Sequence, residues 1–138
     1  MFLPYPGATL LIPSGPEHDP DRMHLFVVLT NPFDDRGDGV PRVLLVSLST
    51  VHDDKYHDPA CVLEPGDHRF VKHKSFVVYR AARIEEANKL TEGVRKNLFQ
   101  PHERVSEAVL LKIRRGLESS EHTTPRILKF YEASPKEL

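Results

Sequence analysis

A chain of 138 residues, 39% hydrophobic and 28% charged, is about the length of one domain with a modest core. The single cysteine, Cys61, excludes an intramolecular disulfide framework and suits a reducing compartment. No apolar run approaches the roughly 20 residues that span a bilayer, so no membrane contact is expected.

The chain opens MFLPYPGATLLIP, without a basic n-region and broken by prolines. It therefore lacks the pattern of a secretory signal, and the expected location is cytoplasmic. Residues 7–13 (GATLLIP) read as a first strand, followed by a loop over 14–22 dense in Pro, Gly and Asp. Residues 24–30 (HLFVVLT) form the next strand, apolar enough to be buried on both faces. A turn-rich loop over 31–41 leads to a third strand, 42–49 (RVLLVSLS), and then to a polar acidic loop over 51–59. A short strand at 60–63 precedes the turn Glu64-Pro65-Gly66-Asp67.

Residues 68–83 (HRFVKHKSFVVYRAAR) read as one long strand or a bent pair. Alternation sets Lys72, Lys74, Phe76 and Val78 on one side and Val71, His73, Ser75, Val77 and Tyr79 on the other. Short strands between turn signals suggest a small barrel or sandwich. Residues 84–90 (IEEANKL) read as a short helix. Pro101 is placed in the first turn of a longer helix reaching about Leu117, with Glu103 near its positive end. The apolar stripe of that helix is Val105, Ala108, Val109, Ile113 and Leu117, and Gly116 with Ser119 and Ser120 closes it. A last helix over 126–133 follows Thr124-Pro125, with fraying expected from 134 onward. Strands first and helices last make one α+β domain, 1–138, with a barrel over about 5–83 and a helical part over 84–133.

Charge is unevenly spread. Residues 1–68 carry 4 Lys/Arg against 11 Asp/Glu, and residues 69–116 carry 12 against 5. Such a basic block attracts phosphates, an acidic partner, or the acidic half of its own fold.

The densest reactive stretch is CVLEPGDHRFVKH, residues 61–73. Cys61, Asp67, His68 and His73 are permissible zinc ligands, but their spacing matches no closed-site pattern. A zinc-dependent hydrolase on Cys61, His68 and His73 stands as one alternative, and a polar turn beside a half-exposed strand as another. Asp67 and His68 also suit acid–base chemistry if the turn brings them together. Cys61, beside Val62 and Leu63, reads as an inert buried thiol. Ser47, Ser49 and Thr50 end the third strand, where hydroxyls contact phosphates or simply terminate strands. Lys72, Lys74, Arg80 and Arg83 are interleaved with Phe70, Phe76 and Tyr79. Binding of single-stranded nucleic acid uses that combination, and a Lys-rich edge strand protected from aggregation displays it too.

The order of Gly7, flexible loop, HLFVVLT and RVLLVSLST resembles the MazF/PemK-type toxin family, as does LEPGDHRFVKHKSFVVYRAARIEEANKL. The likeness covers roughly residues 7–90. It implies a small SH3-like β-barrel followed by C-terminal helices. It also implies a homodimer that cleaves single-stranded RNA without a metal or other cofactor, through a 2′,3′-cyclic phosphate, and that a small antitoxin protein neutralises. His24 stands where the family carries an arginine before the second strand, and Arg22 lies two residues away. Ser49 and Thr50 fall where the family has its catalytic Thr or Ser. Arg83 lies near a later family arginine, and Ala81 replaces a glutamine. The resemblance thus implies His24, or Arg22 in its stead, with Ser49 and Thr50 as catalytic residues; His68 or His73 is expected to assist. Arg22, Lys72, Lys74, Arg80 and Arg83 would then hold RNA. An inactive barrel of the same shape that binds nucleic acid or a partner protein is the competing expectation.

Overall fold

The apolar runs of the first half become strands because β-branched and leucine side chains fill both faces of a pleated sheet. In the computed structural model, which describes residues 1–19 and 21–136, β1 is Thr9–Pro13, β2 Met23–Val28 and β3 Arg42–Thr50. β4 is the two-residue Val62–Leu63, β5 is Ser75–Glu86, and β6 is Gln100–His102. The helices are α1, Ala87–Arg95; α2, Glu107–Ser119; and α3, Pro125–Ala133. The strands form one antiparallel sheet in the order β4-β5-β3-β2-β1-β6. It curls into a half-barrel whose end strands, β4 and β6, stay unjoined.

The sheet buries its two faces unequally. One face, with Leu25, Val27, Leu44, Val46, Leu48, Val77 and Tyr79, packs against Val109, Ile113 and Leu117 of α2 and Ile127 and Phe130 of α3. The other face packs Leu10, Ile12, Phe26, Val28, Val43 and Leu45 against Ala87 and Leu90 of α1, with Phe99 beside them. His24, near the start of β2, and Ser47 and Ser49, in the second half of β3, lie towards the end of the sheet away from the junction of β5 with α1.

Several boundaries differ from the sequence reading. Residues 68–74 are a loop, not strand. The His68 side chain folds over it, and Val71 N–H donates to His68 O, which closes a turn before β5 begins. Alternation holds only from Ser75, with Ser75, Val77 and Tyr79 buried and Phe76 and Val78 half-buried. β5 runs on through Ile84 to Glu86, opposite Arg42, Val43 and Leu44, where a helix was expected. Pro101 lies in β6, not in a helix. β6 pairs only with β1, and a missing N–H is tolerated on such an edge.

The long helix starts later, at Glu107, because the Ser106 hydroxyl accepts from Val109 N–H. Leu110, not Ala108, completes its buried stripe. Gly116 sits inside that helix. A Cβ there would lie 2.1 Å from the Tyr79 hydroxyl and 2.9 Å from Cys61 Cβ. α3 begins as expected, with Thr124 capping Ile127 N–H and Pro125 in the first turn. Ser134, expected to fray, is buried and hydrogen-bonded to Tyr131 O; residues 137 and 138 lie outside the described residues.

Candidate functional site

Cross-strand register decides which side chains meet. Leu10 and Ile12 of β1 stand opposite Phe26 and His24 of β2, and Phe26 stands opposite Ser47 of β3. Ser47 and Ser49 in turn face Val78 and Phe76 of β5. Partners in register share a face, and residues two apart share it too. Ser14, His24, Phe26, Ser47, Ser49, Phe76 and Val78 therefore line one groove of about 250 Å³ on the face that α1 leaves open. Arg80, Ala81 and Arg83 complete it.

A large bulge brings the two arginines there. Between the pairs Ser47–Val78 and Leu45–Arg83, β3 advances two residues while β5 advances five. The extra backbone of β5 breaks strict alternation, so Arg80 and Arg83 both reach the groove, as bulges characteristically re-aim side chains. The Arg83 guanidinium lies over the Phe26 ring, 4.7 Å from its centroid. That stacking holds the cation with its charge unneutralised.

His24 is set up by its neighbours. Its Nδ1 is 2.7 Å from the Ser14 hydroxyl, which is also 3.1 Å from Ile12 O. A hydroxyl has one hydrogen and a carbonyl can only accept. With that hydrogen on Ile12 O, Ser14 accepts from Nδ1–H and the lone pair of the imidazole is on Nε2; with it on Nδ1, the ring carries its hydrogen on Nε2. Partial burial lowers the pKa of His24, and the positive charges of Arg22 and Arg83 lower it further. The ring is accordingly neutral at pH 7.

The other predicted residues separate. Thr50, Lys72 and His73 line an adjoining groove, with Ser49 forming the wall common to both. Lys74 lines neither. Arg22 lies just before β2, exposed and outside the groove, and acts on His24 through its charge. His68 is drawn away entirely. Its Nε2 donates to Glu103 O at 2.6 Å and its Nδ1 accepts from Phe70 N–H at 3.0 Å, so both ring nitrogens staple the loop. Asp67 accepts from Glu64 N–H across the turn and does not orient His68. Cys61 is buried against Tyr79, and burial pushes its thiol pKa up. Among the described residues no group of three or more His, Cys, Asp or Glu side chains gathers at metal-binding distances.

Sequence reasoning missed Ser14 and Phe26 as groove residues. The signal for Ser14 is the period of two, since it continues the face of Leu10 and Ile12 one step beyond β1.

The ion pairs show where the charge asymmetry leads. Arg36 and Arg42 pair with Asp35 and Asp38 inside the acidic half; Arg69, Lys89 and Arg95 pair with Glu103, Glu86 and Glu92 inside the basic block. Among the described residues no ion pair crosses between the two, and Lys72, Lys74, Arg80 and Arg83 enter none. The groove is thus positively charged, with one neutral imidazole and a row of hydroxyls. No helix is long and apolar enough to cross a membrane among the described residues. Comparison with protein-family models, curated proteins and solved structures finds no match to this chain.

Proposed function

We propose that the protein is an endoribonuclease that cuts single-stranded RNA in the His24 groove without a metal, and that it is the toxin of a toxin–antitoxin pair. In this reading the half-barrel is a divergent SH3-like barrel of the MazF/PemK type, acting as a homodimer and neutralised by an antitoxin protein. The observation that carries it is the convergence of His24, Ser49, Arg80 and Arg83, from three strands, on one uncovered face.

The chemistry follows from those groups. Arg80 and Arg83 hold the phosphodiester and stabilise the charge that builds on its oxygens during attack. Ser49 donates a hydrogen bond to a phosphate oxygen. His24 Nε2 takes the proton of the ribose 2′-hydroxyl, and the 2′-oxygen attacks phosphorus. The bond to the 5′-oxygen breaks and that oxygen takes a proton from water, whose hydroxide is neutralised by the proton on His24, and a 2′,3′-cyclic phosphate remains. His68, with both nitrogens occupied, has no part in this scheme. His73 and Thr50, across the Ser49 wall, contact the strand further along.

One observation favours the second reading, an inactive domain that binds RNA or a partner. The groove holds a single imidazole and no second side chain able to act as the acid. Expression in a bacterial host separates the two. The nuclease reading expects growth arrest and fragmented total RNA, both abolished by His24→Ala and by Ser49→Ala in variants that remain folded. Unimpaired growth with intact RNA on wild-type expression contradicts it.

A further inference from the structure

The groove continues past its own wall. Phe76, Val78 and Arg80 also line a smaller pocket, closed on its far side by Tyr56, His57 and His122. Its lining is aromatic. The His57 and Phe76 rings lie 5.5 Å apart, and the Tyr56 and His122 rings meet edge to face at 5.9 Å, their hydroxyl and Nε2 3.1 Å apart.

These rings come from distant parts of the chain, the loop after β3 and the turn after α2, and part-buried polar contacts of Asp58 join the two segments. The Asp58 carboxylate accepts from Ala60 N–H and from the Ser120 hydroxyl, whose oxygen accepts from His122 N–H. Asp58 is itself 8% exposed. Tyr56, by contrast, leaves 76% of its surface to water, among the most exposed of the large apolar side chains. An aromatic ring facing solvent, in one pocket with an arginine that enters no ion pair among the described residues, does nothing for the core. It has the form of a stacking platform.

We infer that this pocket is a nucleobase subsite. The base next to the phosphate held by Arg80 and Arg83 stacks on Tyr56, with His57 and Phe76 forming its wall. The inference rests on the RNA reading of the groove and adds to it where the strand runs and what holds it besides charge. Every base has a π-face, so the subsite contributes affinity to all four, and the Tyr56–His122 polar edge grades them.

The test uses the full chain and two fluorescent 2′-O-methyl hexanucleotides, which cannot be cut because the 2′-oxygen is blocked; one carries bases and the other is abasic. Wild type should bind the base-bearing oligomer more tightly than the abasic one. Tyr56→Ala should weaken the first by between about 5-fold and 100-fold. It should leave the abasic oligomer and the salt dependence unchanged, and Tyr56→Phe should restore binding. Equal binding of both oligomers by wild type overturns the subsite without needing any variant to fold. So does a Tyr56→Ala protein that binds like wild type while Arg83→Gln loses affinity, and in that case the RNA reading survives. If wild type binds neither oligomer, the RNA reading falls and the subsite with it.

Discussion

His24 serves as a base at Nε2 in the tautomer in which the Ser14 hydrogen goes to Ile12 O, and it resists a second proton because it is partly buried beside two arginines. The depressed pKa has a definite sign. The imidazole is neutral at pH 7 and becomes charged only as pH falls through a value below the usual 6.5. Arg22→Gln removes one of the opposing charges, so the His24 midpoint should rise towards 6.5 in an NMR titration of the ring. A midpoint that stays put or drops would refute the electrostatic origin. His24 was singled out from the sequence by its place before the second strand, where the resemblance puts an arginine, with Arg22 nearby. Its partner Ser14 was legible only as a continuation of the Leu10–Ile12 face, because nothing in the nine intervening residues fixes its register against β2. His68 shows the opposite failure. An imidazole beside an aspartate after a turn looked like chemistry, but the pull on it comes from Glu103 O, 35 positions away.

At the scale of elements, apolar runs were the reliable signal, and β1, β2, β3 and α3 lie close to where periodicity puts them. Errors cluster where long-range pairing overrides local preference. Pro101 begins many helices, but here β1 offers its edge, and residues 100–102 take it. Gly116 reads as a helix stop, yet it lies inside α2 because Tyr79 needs the space. Its hydroxyl donates to Ile113 O at 2.8 Å, directly beneath the glycine. Gly116→Ala should therefore destabilise the protein by about 1–3 kcal/mol through overpacking, although alanine is the better helix former. Urea unfolding measures this. An increase in stability would show that the Tyr79 contact is slack.

Across the whole molecule, the division of charge was readable from composition, but its purpose was not. Only the folded chain shows that each half satisfies its own ion pairs, and that Arg80 and Arg83 arrive together through the β5 bulge. No local pattern in YRAAR announces a bulge, since it is set by the mismatch in length between β3 and β5 as they pair. The expected α+β class is present, but strands do not all precede helices, since β5 passes through residue 83 and β6 returns to the sheet after α1. The proposed cleavage depends on His24 acting as a base on RNA held in the groove. Its most direct test is incubation of mixed-sequence RNA with purified protein in EDTA, followed by mapping of the new ends. Fragments ending in 2′,3′-cyclic phosphate are expected with wild type and none with His24→Ala. Intact RNA with wild type, or cleavage that survives His24→Ala, would contradict it.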